Sequence, residues 1–278
     1  MTESAEMLTK TQHLFDDATR VTAGDSRWRG QTSDDYWAFV GPFGGATAAT
    51  ILRALIDHPQ RAGDPLALTV NFCAPIAQGA FDLDVRLVKA NRSTQHWSVE
   101  LSQDGAEVAT FATAVFAERR PSWSHQQAQF QQAKPFEQIM PYPTVAASWV
   151  KQYDLRFVEG DPDSSGAAQT APVNGFSKLW IGDRIPRKID MLSLMAMSDA
   201  FFGRVFHARR ELVPFGTVSL TTYFHEDTED LAAEDISRVL AVADARIFHK
   251  SYGDQTGELW SPKGRLLATT HQIAYFKA

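Results

Sequence analysis

The sequence predicts an α+β fold built as two tandem repeats, each with one helix followed by antiparallel strands. Three observations carry that expectation. An apolar stripe at helical spacing precedes a series of strand-like runs; the same order of elements returns in the second half; and short stretches of the two halves match at a nearly constant offset.

In the first repeat, Gly41-Pro42-Phe43-Gly44-Gly45 leads into a helix over Ala46 to Asp57. Its apolar positions are Ile51, Leu52, Leu55 and Ile56, and His58-Pro59 ends it. Strand-like runs follow at Leu66 to Ala74, Phe81 to Ala90 and His96 to Gln103. The run Phe81 to Leu87 alternates almost strictly, as a half-buried strand does. A turn at Asp104-Gly105 joins the third run to a fourth, Glu107 to Glu118.

In the second repeat Asp190 has the chemistry of a helix N-cap. One helix is expected from there through Met191, Leu194, Met195, Ser198, Phe202, Val205 and Phe206, positions that step by three and four. Strands are expected at Thr217 to Phe224, Ser237 to His249 and Glu258 to Trp260. After a turn at Pro262-Lys263-Gly264 the last strand runs from Arg265 to Lys277. Leu68-Thr69-Val70-Asn71-Phe72 matches Leu220-Thr221-Thr222-Tyr223-Phe224 at an offset of 152, and Gly105, Ala109 and Thr110 match Gly264, Ala268 and Thr269 at 159. An insertion of seven residues in the second repeat reconciles the two offsets. The expected division is a first repeat over 11–120, a linker over 121–148 and a second repeat over 149–278. The linker carries four prolines from Pro121 on and a cluster at Gln126, Gln127, Gln129, Gln131 and Gln132. A polar segment from Glu159 to Gly175 reads as a surface loop. Its Asp161-Pro162-Asp163 suits a turn better than a metal.

Composition narrows the class. Charged residues make up 22% and hydrophobic residues 44%, enough to bury a core. The net charge of −6 disfavours general nucleic-acid binding, which needs a basic face. A lone cysteine, Cys73, excludes an internal disulfide and any multi-thiolate zinc site, and beside Phe72 it reads as a small buried apolar group. The acidic start and the absence of a long apolar run predict a cytoplasmic protein with no membrane partner.

The chain resembles the acyl-CoA thioesterase II-like (TesB-like) family of double hotdog proteins, over roughly Phe15 to Phe276. The resemblance rests on four features: Phe43-Gly44-Gly45 opening the first helix, Met197-Ser198-Asp199 in the second, Thr217 seven residues before Phe224-His225, and Thr269-Thr270-His271-Gln272 in the last strand. It implies that each helix is wrapped by a curved antiparallel sheet, and that Asp199, Thr217 and Gln272 activate a water that attacks an acyl-CoA thioester. It implies no metal and no cofactor. A homodimer or higher homo-oligomer follows by the same analogy.

The residues bear independent reading. Asp199 lies in the apolar run Met195 to Phe202, where a carboxylate is costly unless hydrogen-bonded and where burial raises its pKa towards that of a useful base. A solvated flank or a structural acceptor would also explain it. Threonine is common in strands, so Thr217 alone says little. Gln272 sits among Leu266, Leu267, Ile273 and Tyr275, where an amide needs partners, and it can donate and accept at once. Gly44 and Gly45 allow a ligand close to the backbone and are candidate substrate-binding residues; tight helix-on-sheet packing explains them equally well. By offset, Thr217 corresponds to Pro65 and Gln272 to Thr113, and Asp199 falls near Thr47 in a stretch without carboxylates. One site per chain follows, in the second repeat.

Other chemistries lack their motifs. No Gly-x-Ser-x-Gly elbow or His-Glu-x-x-His pair occurs. His225 and His271 read as half-buried strand-end residues, and Arg92 and Arg246 could meet a CoA phosphate but are no stronger than solvated arginines. The expected activity is acyl-CoA hydrolysis. A hotdog hydratase or dehydratase and a non-catalytic acyl-CoA-binding protein are the alternatives.

Overall fold

The structure, a computed structural model, describes residues 13–24, 27–105, 107–143, 147–162 and 174–277. The first half holds α1 (Leu14–Ala18), β1 (Thr22–Ala23), β2 (Trp28–Gln31), α2 (Gly44–Ile56), β3 (Asp64–Phe72), β4 (Ala80–Ala90), β5 (Thr94–Ser102) and β6 (Thr110–Ala117). The second holds β7 (Tyr153–Glu159), β8 (Ser177–Asp183), α3 (Met191–Met197), α4 (Arg204–Arg209), β9 (Phe215–Phe224), α5 (Thr228–Glu234), β10 (Arg238–Asp244), β11 (Phe248–His249), β12 (Tyr252–Trp260) and β13 (Leu266–Phe276). The fold is α+β, a double hotdog. Among the described residues no helix is long and apolar enough to cross a membrane.

The strands form one antiparallel sheet in the order β1-β2-β4-β5-β6-β3-β9-β13-β12-β10-β8-β7. That order reads the same from either end once each strand is replaced by its counterpart, with the β3–β9 pair at the centre. Thr69 and Thr221 face each other there and their hydroxyls are 2.9 Å apart. The helix α2 is buried nearly all round and α3 entirely so, as befits helices enclosed by a sheet. The two helices pack on each other inside one continuous apolar core.

Alternating burial holds the sheet in register. Leu68 and Val70 of β3 point inward, as do Leu220 and Thr222 of β9. The turn expected at Asp104-Gly105 forms, with positive φ at both residues. The run expected as one strand over Ser237 to His249 divides into β10 and β11, because Arg246 and Ile247 turn their N–H groups onto the Asp254 carboxylate (2.8 Å each). The insertion in the second half falls at α5, and the strand pairing, Leu220 with Gln272 against Leu68 with Ala114, makes it six residues rather than the seven expected.

The segment after Pro121 packs closely against the second half. Phe130 meets the Trp260 ring edge-on, Trp180 Nε1 donates to the Lys134 carbonyl (2.9 Å), and Arg156 reaches the carbonyls of Phe136 and Ile139 (3.1 Å each). It thereby covers a second apolar cluster of Trp180, Leu240, Val242 and Trp260 on the outer side of the sheet.

Candidate active site

The helix expected to run from Asp190 through Phe206 is broken. It starts as foreseen: Asp190 Oδ1 accepts from the Ser193 N–H (2.8 Å). It stops at Met197, where the Ser198 hydroxyl turns back onto the Met195 carbonyl (2.7 Å) and also pairs with Thr222 Oγ1 on β9 (2.7 Å). The next two N–H groups bond three residues back, Asp199 to Ala196 and Ala200 to Met197, which tightens the last turn. Gly203, a poor helix former packed against the Phe215 ring, then opens α4. Asp199 therefore lies just past a helix end, held at the core's edge by the Ser198–Thr222 anchor.

Thr217 reaches the site through a β-bulge. Along β9, Ser219 pairs with Ile273 but Thr217 pairs with Ala274, so Val218 is the extra residue. Without it, Thr217 would share the outer face with Ser219; the bulge moves Val218 outward and turns Thr217 inward. Gln272 lies on the inner face of the neighbouring β13.

These three side chains meet. Gln272 Nε2 donates to Asp199 Oδ1 (2.6 Å) and to Thr217 Oγ1 (2.7 Å). The amide orientation follows from chemistry, since the NH₂ end is the one that can donate to a carboxylate. Asp199 is 9% exposed and Gln272 4%. Burial pushes the Asp199 carboxyl up to about 7, against the lowering effect of the hydrogen bonds from Gln272 and from the Gly45 backbone N–H. A carboxyl group poised there can take or give a proton near neutrality. Thr217, accepting from Gln272, keeps its own hydrogen for another acceptor.

The first half completes the site. The N-terminus of α2 faces Asp199, and the positive end of its dipole favours the anion. A Cβ at Gly44 would lie 2.7 Å from Asp199 Oδ2, and one at Gly45 would lie 2.4 Å from the Ala196 carbonyl oxygen. Both glycines are thus required by close approach of the two halves. Phe43, which precedes them, stacks on Trp149 at 4.4 Å and fixes the start of the helix.

The structure revises the counterparts of these residues in the first half. β3 has the same bulge: Pro65 pairs with Phe116 and Ala67 with Val115, which leaves Leu66 extra. Pro65 thus takes the position of Thr217, as the offset of 152 requires. Gln272, however, pairs with Leu220, and the counterpart Leu68 pairs with Ala114. Gln272 corresponds to Ala114, and Thr113 is one residue out of register, on the opposite face of the strand.

Several other expectations resolve. Cys73 is exposed, because β3 ends at Phe72 and strand alternation no longer governs it. His225 and His271 are exposed rather than half-buried, the first held by Thr269 Oγ1 (3.0 Å). Arg92 and Arg246 are exposed. Asp163, with most of the segment after Pro162, lies outside the described residues. Among the buried polar residues that were not foreseen, Gln255 on β12 lies directly opposite Gln272. A lone glutamine in a run of Asp254, Thr256 and glycines gave no periodic signal to single it out.

Residues 33–117 match the acyl-CoA thioesterase N-terminal domain, and residues 103–276 the acyl-CoA thioesterase C-terminal domain. A hot dog fold protein of unknown function from Alicyclobacillus acidocaldarius is 41% identical, with a TM-score of 0.90 over 96% of this chain and 99% of that one. The acyl-CoA thioesterase II TesB2 from Mycobacterium marinum is 18% identical, with a TM-score of 0.74 over 95% of this chain and 98% of that one. No curated protein sequence matches. Family domains that together span both halves, and the same fold in the solved structures, lead to one conclusion: this chain belongs to the acyl-CoA thioesterase family and is a thioester hydrolase.

Proposed function

We propose that the chain hydrolyses an acyl-CoA to the free acid and CoA, with a water activated by Asp199, Thr217 and Gln272. The observation that carries this reading is the Gln272 amide bridging a buried carboxylate and a threonine hydroxyl. Asp199 takes the proton of the water while the Thr217 O–H donates to its oxygen and orients it. Gln272 fixes the spacing of the two and leaves the water to them. The water oxygen bonds to the thioester carbon, and the charge that develops on the thioester oxygen is held by backbone N–H groups. The Gly44 N–H, in the first turn of α2 beside Asp199, is the donor we assign. The C–S bond then breaks, and the proton on Asp199 passes to the departing sulfur.

The repeats proposed for this chain are 11–120 and 149–278, with one site in the second. The first contributes the α2 N-terminus. A homodimer is proposed as well, on the outward patch of Tyr252, Ile273 and Tyr275, exposed on two adjacent strands; sedimentation equilibrium at a single-chain mass removes it.

Free-thiol release from acyl-CoAs of graded chain length tests the activity. Hydrolysis of at least one chain length is expected, with Asp199→Asn, Thr217→Ala and Gln272→Ala each depressed by orders of magnitude and still folded. No turnover on any acyl-CoA removes the proposed substrate class. Full activity of Asp199→Asn removes the mechanism and leaves the activity.

A further inference from the structure

The two amide hydrogens of Gln272 are committed to Asp199 and Thr217, which leaves its carbonyl oxygen as the group through which a further neighbour can hold it. The residue directly opposite on the neighbouring strand is Gln255. It is 3% exposed, and neither its amide nitrogen nor its amide oxygen has a hydrogen-bond partner among the described residues. A buried, unpaired amide is costly and calls for a reason. Gln255 and Gln272 line one small cavity of about 10 Å³, with Arg204, Phe215 and Ala274 among its walls. That volume suits a single water between two polar side chains.

The first half supplies a control. Trp97 pairs with Ala114 as Gln255 pairs with Gln272, and both lie on the inner face. Where the first half places a large indole over an alanine, the second places two amides. Gln255 thus departs from its counterpart at the same rung of the sheet as Gln272.

We infer that Gln255 is a positioning residue: its amide N–H, through one water in this cavity, holds the Gln272 carbonyl oxygen and so keeps the Gln272 NH₂ on Asp199 and Thr217. This rests on the proposed triad. Besides Gln255, the cavity is lined by the charged groups Arg204 and Asp254, and Tyr153 is the ionisable neighbour of Asp199; none of them is altered in the test.

The test measures kcat, KM and the pH dependence of kcat/KM for wild type, Gln255→Met, Gln255→Trp and Gln272→Ala on the acyl-CoA that wild type hydrolyses best. For Gln255→Met, kcat should fall about tenfold with KM unchanged, a loss in the range of one positioning hydrogen bond. Its pH profile should shift upward, because a loosened Gln272 no longer lowers the Asp199 pKa. Gln255→Trp, which installs the residue of the first half, should lose more. If Gln255→Trp does not fold, the near-isosteric methionine variant still decides the matter. Wild-type kcat and pH profile in Gln255→Met, together with a large loss in Gln272→Ala, overturn this inference alone. Wild-type activity in Gln272→Ala overturns the triad on which it rests.

Discussion

The two halves share a strand order, a central pair and a bulge at equivalent positions, Leu66 and Val218. They differ at the side chains that the bulge and its neighbours aim inward. Pro65, Ala114 and Trp97 in the first half stand where Thr217, Gln272 and Gln255 stand in the second. The helix α2 has no acidic residue, while α3 ends next to Asp199. The bulge is therefore a property of the scaffold, and function is a matter of what the scaffold is given to present. Nor is the first half inert. Its helix N-terminus donates a backbone hydrogen bond to the carboxylate of the other half, which only glycines permit at this distance.

The largest expected effect comes from removing the one group without a counterpart. Asp199→Asn should lower kcat/KM by about 10²–10⁴-fold, the usual reach of a general base. It should also change stability in a direction that a structural carboxylate would not. The folded state holds the Asp199 proton more tightly than the unfolded chain, so ionisation costs stability as pH rises from about 4 through about 7. Thermal unfolding of the Asn variant should exceed wild type at pH 8, and the gap should close below pH 5. For the same reason wild-type kcat/KM should rise with pH, with a midpoint near 7; a flat profile between pH 5 and 9 removes Asp199 as the base.

Next is the contribution of the first half. Gly44→Ala places a methyl group 2.7 Å from Asp199 Oδ2, so hydrolysis should fall by about 10²-fold from the displaced carboxylate, while the thermal midpoint moves little. Gly45→Ala pushes on the Ala196 backbone instead and should lose stability as well. Equal activity in Gly44→Ala and wild type would break the claim that both halves build the site. Thr217→Val should also cost about 10²-fold, and Thr217→Ser should recover most of it, since the hydroxyl is the group in use.

The smallest effect on activity tests the comparison from the other side. Pro65→Thr with Ala114→Gln gives the first half two of the three proposed groups but no carboxylate. Turnover per chain should equal wild type, and the buried glutamine should cost about 1–3 kcal/mol by overpacking, read from denaturant unfolding. Added turnover would show that a carboxylate is not what limits the first half.

Much of this is legible in the sequence. Asp190 as a helix cap, the strict alternation of Phe81 to Leu87 and the identities of Asp199, Thr217 and Gln272 follow from short-range chemistry and resemblance. The break after Met197 was not legible, because Ser198 ends the helix through Thr222, 24 residues away. The register of Gln272 was also missed: matching Gly105 with Gly264 counts through a turn, and a turn can absorb a residue without a trace in the pattern. Cys73 failed for a related reason, since strand periodicity stops where pairing stops.

By itself, the sequence determined the starts of the two central helices, most of the strands that follow them, the duplication and the chemical groups available, because those depend on neighbours a few residues apart; it did not mark β1, β2, β7 and β8, which precede the helices. Tertiary structure decided which groups face one another. Strand pairing placed the bulge that turns Thr217 inward and set Gln272 against Leu220 and Gln255. Packing of α2 on α3 brought the Gly45 N–H to Asp199 and removed the water that would have kept its pKa near 4. Each of these depends on contacts between distant parts of the chain, where a shift of one residue reverses the face a side chain occupies.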